Sequence, residues 1–415
     1  MKEYIENLCI KSRLASRYIA NLTTNQRNDI LMAIADKLRE RSSFIIEENR
    51  KDLDIADTSG VNSAFRDRLL LNVDRIEGLA KSIEEIAALN DPVGRVEGIK
   101  VMPSGIRVGQ MRVPIGVICV IYESRPNVTT DISALCIKSG NAAILRGGRE
   151  SIHSNIALYT VIKEALAQKK CPEDIITLIT KIEHEYVPVL LKMKDYIDIV
   201  IPRGGEKLIG MVSRESTIPV IKHDKGVCHI FVDASSKREL ARNICINAKV
   251  QRPGVCNAME TLLIHRDYPD IKGLLESMIE EKVEIRGCAK TVMILPDRIK
   301  PASAYDWGYE FLDLILAVKI VDSMEEAMRH IAEYGSGHSE AILTEDYSQA
   351  ERFLREVDSS AVFVNASTRF HDGGEFGLGA EVGISTQKLH ARGTMGIEGL
   401  TCLKYIIYGS GQVRS

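Results

Sequence analysis

In the stretch "VQRPGVCNAMETLLIH", Val250 to His265, one cysteine stands between a Pro-Gly turn and a run that reads as a strand. A cysteine attacks carbon only as the thiolate, and the thiolate needs a cationic or dipolar setting and a stiff loop that presents the sulfur. Cys256 has Arg252 four residues before it and Asn257 directly after it, so the residue types for such a site are at hand. Other cysteines are placed differently: Cys119 in "VICVI", Cys136 in "SALCIKS" and Cys245 in "NICINA" sit in apolar runs, as packing residues do. The nine cysteines are an odd number with no C-x-x-C pair, which argues against a disulfide framework and against a zinc site. His223 and His229 lie near Cys228, but that spacing matches no metal-ligand set, and no metal is expected. On residue types and spacing alone, Cys256 is either a nucleophile or one more small buried side chain.

Two turns could hold anions. "ILRGGRE" and "VIPRGGEKLIG" each place an arginine and two glycines at the end of a strand-like run, with a helix-like segment following. Open α/β sheets bind ligands at that edge, and helix N-termini attract anions. The bland alternative is that the glycines only let the chain turn; the recurrence of Arg-Gly-Gly favours nucleotide phosphates. Neither a G-x-x-x-x-G-K-[ST] loop nor a G-x-G-x-x-G after a strand occurs, which removes the two common phosphate cradles. A third candidate is "VNASTRFHDGGEFGLGAEVGISTQKLHARGTMG", whose seven glycines with Arg369, Lys388, His390 and Arg392 suit a small anionic ligand. A solvated loop is the alternative there, though so many glycines carry an entropic cost.

The elements that must position these residues alternate. The first 90 residues have helical periodicity, with a capping box at Thr23 and Gln26 and apolar Ile30, Ile34 and Leu38 at four-residue spacing. From Ile115 onward short apolar runs ("IGVICVIYE", "NAAILRGG", "DIITLIT", "YIDIVIPRGG", "GVCHIFVD", "METLLIHRD", "DLILAVKIVD", "EAILTED", "AVFVNAS") alternate with amphipathic segments such as "IHSNIALYTVIKEALAQ". That order predicts parallel sheets in an α/β fold. "GIKVMPSGIRVGQMRVPIG" alternates differently and predicts an exposed hairpin, either a dimer contact or a plain surface flap. A chain of 415 residues exceeds one hydrophobic core, so at least two domains are expected. A net charge of −3 gives no basic footprint for nucleic acid or for a membrane surface. The apolar run "IGVICVI" is far too short for a membrane span, the N-terminal stretch lacks the apolar core of a secretory signal, and a reducing cytoplasm is the expected location.

Three stretches together, "VMPSGIRVGQMRVPIGVICVIYESRPNVT", "QRPGVCNAMETLLIH" and "STRFHDGGEFGLGAEVGISTQKLHARGTMGIEGLT", resemble the γ-glutamyl phosphate reductases, a family of the aldehyde dehydrogenase superfamily. The resemblance covers essentially the whole chain. It implies an aldehyde dehydrogenase-like α/β fold with a Rossmann-like cofactor domain, a smaller α/β catalytic domain and a β-hairpin oligomerisation arm. Residues 1–227 would form the N-terminal helices and the NADP-binding domain, with the arm at about 99–114; residues 228–390 would carry the nucleophile; and 391–415 would return, as a segment that could join the arm. The implied reaction is NADPH-dependent reduction of L-glutamyl 5-phosphate to L-glutamate 5-semialdehyde with release of phosphate, the second step of proline biosynthesis from glutamate.

Carried over by position, the family's nucleophile matches Cys256 and its oxyanion-binding asparagine matches Asn127 in "SRPNVT". The cofactor residues match Arg146, Gly147, Gly148 and Arg149, where two arginines suit a 2′-phosphate and hence NADP(H). Gly204 and Gly205 match the turn facing the pyrophosphate, and Glu310 the glutamate on the nicotinamide ribose. Arg252, Ser367, Thr368 and Arg369 are expected to receive the substrate's carboxylate and phosphate. Hydrolysing members of the superfamily activate water with a glutamate; here that position falls on Lys222 or His223, which suits a thioester that must be kept from water. The alternatives are a hydrolytic aldehyde dehydrogenase, which the missing glutamate opposes, and a non-catalytic nucleotide-binding protein, which the intact cysteine and glycine-rich loops oppose. A homo-oligomer (dimer or tetramer) and an association with glutamate 5-kinase are implied; nucleic-acid and membrane partners are not.

Overall fold

The computed structural model describes residues 1–60, 63–222 and 225–414; His223 lies outside the described residues. The chain divides into two compact units, one of Met1–Lys222, Gly377–Gly383 and Met395–Ser415, the other of His223–Phe376 and Ile384–Thr394.

The first unit opens with the helices Lys2–Ile19, Thr24–Glu40, Ser42–Thr58, Ser63–Leu69 and Val73–Ala88. The expected capping box starts the second of these: Gln26 N–H donates to Thr23 Oγ1 at 3.3 Å, and Thr23 N–H donates to Gln26 Oε1 at 2.9 Å. Ile30, Ile34 and Leu38 are buried along one face of that helix. The predicted hairpin is β1 (Val96–Val101) antiparallel to β2 (Arg107–Pro114). Behind it comes a parallel sheet of β3 (Val117–Tyr122), β4 (Ala142–Arg146), β5 (Ile176–Leu178) and β6 (Ile199–Arg203), in the order β5-β4-β3-β6. Every residue of β3, β4 and β5 is buried, which is why these strands read as largely apolar runs. From β3 the chain proceeds outward to β4 and β5 and then returns to the other side of β3 for β6, so the loops after β3 and β6 diverge at a topological switch point.

The second unit is built on one parallel sheet of seven strands: β7 (Cys228–Val232), β8 (Met259–His265), β9 (Glu284–Gly287), β10 (Lys300–Pro301), β11 (Ile315–Val321), β12 (Ser339–Leu343) and β13 (Ala361–Val364). Their order is β10-β9-β11-β8-β7-β12-β13, and the helices Arg238–Val250 and Ile271–Glu280 pack on a core that includes Ile230, Leu262, Ile264 and Val318. Two short strands, β14 (Gly383–Ser385) and β15 (Gly393–Met395), mark the stretch where the chain passes between units. The last strand, β16 (Thr401–Tyr408), belongs to the first unit and pairs antiparallel along all of β2, making the hairpin a three-stranded sheet. Its register runs from Thr401 opposite Pro114 to Tyr408 opposite Arg107.

Candidate active site

In the second unit the loops that precede β7, β8 and β12 meet at the N-terminal edge of the sheet. Cys256 lies in the loop before β8, half-buried. The loop before β7 presses on it: a Cβ at Gly226 would stand 2.0 Å from the Cys256 carbonyl oxygen and 2.4 Å from its Cα. Only glycine lets the two backbones lie so close. The Gly226 N–H donates to Glu310 Oε1 at 2.9 Å, which fixes that carboxylate beside the same loop.

Beneath Cys256 runs a closed ring of hydrogen bonds. The Cys228 thiol donates to the Cys256 carbonyl at 3.1 Å and faces His338 Nδ1 at 3.7 Å. Ser339 Oγ lies 2.8 Å from His338 Nδ1 and 2.8 Å from His371 Nδ1. The ring returns through the His371 carbonyl, which accepts from Asn257 Nδ2 at 3.0 Å. Burial pushes the Cys228 thiol well up, keeping it a protonated donor, and holds His371 neutral, with its pKa down to about 4. The turn Thr368–Phe370 docks on the same peptide: Thr368 Oγ1 donates to the Asn257 carbonyl at 2.8 Å, and Arg369 Nη1 donates to Asn257 Oδ1. Arg369 Nε reaches Gln251 Oε1 at 2.9 Å, and Arg369 N–H reaches Ser367 Oγ at 3.3 Å. Burial, then the neighbouring charge of Arg252, lower the Arg369 pKa. The structure therefore brings Arg252, Ser367, Thr368 and Arg369 to the loop that carries Cys256.

Cys119, Cys136 and Cys245 are wholly buried, and burial pushes their thiols up, as expected of packing residues. Cys288 was not singled out by the sequence. Burial pushes this half-buried thiol up, but Thr291 Oγ1 at 3.2 Å and neighbouring backbone N–H groups outweigh that and bring it below the ordinary value. The threonine three residues on was the only local signal. The ring members His338, Ser339 and His371 carried no signal at all, because sequence spacing says nothing about which loops share a sheet edge.

In the first unit, Ile121 of β3 stands opposite Arg146 of β4, and Tyr122 opposite Arg203 of β6, so both Arg-Gly-Gly turns flank the loop after β3. Two carboxylates tie that loop down. Glu150 Oε1 accepts from Ser124 N–H at 2.6 Å and from Ser124 Oγ at 2.8 Å, holding Ser124 at a φ of 45°. Glu123 Oε2 accepts from Gly205 N–H at 2.9 Å, at the start of the helix Glu206–Glu215. Arg146 is buried, with Nη1 on the Gly147 carbonyl at 2.5 Å and Nη2 on the Ile182 carbonyl at 2.8 Å; burial lowers its pKa. Its guanidinium thus braces the turn itself, whereas Arg149 is exposed. Asn127 opens the helix Asn127–Lys138 and donates from Nδ2 to Asp131 Oδ2 at 2.9 Å. Burial raises Asp131 to about 6, against the opposing pull of Asn127 and Arg203.

Two units built on parallel sheets are an α/β enzyme architecture, and residues 2–286 match the aldehyde dehydrogenase family, to which the chain belongs. Within that family it belongs with the γ-glutamyl phosphate reductases. It is 52% identical to the γ-glutamyl phosphate reductase of Desulfatibacillum aliphaticivorans, over 100% of both chains. It superposes on the crystal structure of γ-glutamyl phosphate reductase from Thermotoga maritima with a TM-score of 0.97 and 45% identity, over 99% of this chain and 100% of that one. The fold also matches glyceraldehyde-3-phosphate dehydrogenase GapN from Methanocaldococcus jannaschii complexed with NADP (TM-score 0.71, 16% identity, 99% of this chain and 95% of that one). Among the described residues no helix is long and apolar enough to cross a membrane, and no group of three or more His, Cys, Asp or Glu could hold a metal ion.

Proposed function

We propose that the chain reduces L-glutamyl 5-phosphate to L-glutamate 5-semialdehyde with NADPH, releasing phosphate. The observation that carries this reading is the Cys256–Asn257 peptide, pinned by Gly226 and the Cys228 thiol and bound to Arg369. Cys256 Sγ bonds to the acyl carbon and the carbon–oxygen bond to phosphate breaks; phosphate departs as a stable anion and needs little acid assistance. Arg252 and Arg369, with Ser367 and Thr368, receive the carboxylate and the phosphate. Asn127 is the proposed oxyanion donor, one of its amide hydrogens being engaged by Asp131.

NADPH, when bound, supplies the hydride that takes the thioester to the aldehyde level. Arg149 and the turn of Gly204 and Gly205 at the start of the helix Glu206–Glu215 would hold its phosphates. Gly147, Gly148 and Gly204 shape the turns, and Arg146 braces the first of them. Glu310, bonded to Gly226, is the candidate for the nicotinamide ribose. The proposal extends to a cytoplasmic homo-oligomer joined through the sheet of β1, β2 and β16, where Val101, Tyr405 and Ile407 are exposed. Association with glutamate 5-kinase would spare a labile acyl phosphate from water.

The test runs the reaction in reverse, following NADP reduction by glutamate semialdehyde with and without phosphate. Turnover should require phosphate, fall by about 1,000-fold or more in Cys256→Ala, and be unchanged in Cys288→Ser. Phosphate-independent turnover would indicate hydrolytic chemistry, and activity surviving in Cys256→Ala would end the mechanism.

A further inference from the structure

We infer that Asn257 is a positioning residue that locks the Arg369 guanidinium to the nucleophile loop, an inference that rests on reading Cys256 as the nucleophile and Arg369 as an anion-binding side chain. Asn257 is only 5% exposed, and its polar atoms are spent on one target. Oδ1 accepts from Arg369 Nη1, Nδ2 donates to the His371 carbonyl at 3.0 Å, and the main-chain carbonyl accepts from Thr368 Oγ1 at 2.8 Å. With a longer bond from Nδ2 to the Arg369 carbonyl at 3.4 Å, four bonds tie the residue next to Cys256 to the segment that carries Arg369. Gln251 holds the guanidinium from its other side, accepting from Nε at 2.9 Å.

An arginine side chain is long and flexible, but its five donors are fixed in one plane, so setting two of its nitrogens orients the whole array. Arg252 adds a second positive charge that repels Arg369. Left to itself, the guanidinium would swing away from that repulsion and out of its half-buried place. Asn257 and Gln251 oppose the swing, so nucleophile and anion receptor move as one body. Misplacing a positioned group by about 1 Å can cost about 100-fold in rate.

The experiment measures steady-state kinetics with glutamate semialdehyde, phosphate and NADP. Asn257→Leu should raise the KM for phosphate or semialdehyde about 10- to 100-fold while the KM for NADP stays within about twofold. The double variant Asn257→Leu with Arg369→Ala should be no worse than Arg369→Ala alone, because both remove one function. Gln251 is exposed, so Gln251→Ala tests the same strap from the surface and should raise the same KM by about threefold. Additive losses in the double variant, or an Asn257→Leu defect spread equally over NADP, would overturn the inference. So would a normal substrate KM in both Asn257→Leu and Gln251→Ala when Arg369→Ala is impaired, leaving the proposed function standing. A normal Arg369→Ala enzyme would remove the anion-binding role of Arg369 and this inference with it.

Discussion

The two Arg-Gly-Gly turns are spelled alike and built differently. Arg146 ends β4, is buried, and spends both terminal nitrogens on backbone carbonyls, while Arg203 ends β6 with its guanidinium laid against Gly383, 2.5 Å from where a Cβ would stand. At the first turn a Cβ on Gly147 would meet Asn155 Nδ2 at 2.2 Å, and one on Gly148 would meet the Glu150 carboxylate at 2.1 Å. At the second turn Gly204 is similarly crowded by Glu123, but Gly205 has nothing nearer than 3.9 Å. The first turn is thus a packed brace, and the second is the more open start of the helix Glu206–Glu215. A motif seen twice does not make two equivalent sites.

Substitutions can break this contrast. The largest effect should come from Arg146→Ala, which leaves the Gly147 and Ile182 carbonyls without their donor and opens a cavity; it should cost about 2–4 kcal/mol in denaturant unfolding. Arg203→Ala, which removes no such brace, should cost less than about 1 kcal/mol. Equal losses at the two positions would erase the distinction.

Next in size is Gly147→Ala, which must displace Asn155, itself buried and bonded to Ser151 Oγ at 3.0 Å and Thr129 Oγ1 at 3.1 Å. A cost of about 1–3 kcal/mol is expected, read as a lowered midpoint of thermal unfolding. The smallest effect belongs to Gly205→Ala, where φ is −72° and there is room for a methyl group. Its stability should change by less than about 1 kcal/mol, the loss of a glycine cap being offset by a stiffer unfolded chain. A Gly205→Ala protein as unstable as Gly147→Ala would show that both turns are braces.

Much of the fold could be read in advance, because strands of buried parallel sheets are rich in apolar residues, as in β3 (VICVIY), every residue of which is buried. The short β9 and β10 escaped notice: "EIRG" and "KP" carry almost no apolar signal. Cys256 stood out from the other cysteines of apolar runs by its flanking arginine and asparagine, and the structure places those neighbours around its loop. What could not be read was the support. Gly226, Cys228, His338, Ser339 and His371 come from three separate stretches, at the starts of β7 and β12 and just after Thr368–Phe370, and the expectation that ligands gather at the C-terminal edge of a sheet points away from the edge where Cys256 lies.

The sequence by itself determined most of the strands and helices and that the sheets are parallel, and it set Cys256 apart from the cysteines of apolar runs, since these follow from local periodicity and from side-chain type. The tertiary structure alone decided that Gly226 must lack a side chain, that Arg146 faces inward while Arg149 faces water, and that Asn257 holds Arg369. Those outcomes depend on which loops meet once the strands are ordered, and strand order arises from packing over long sequence separations that no local pattern records.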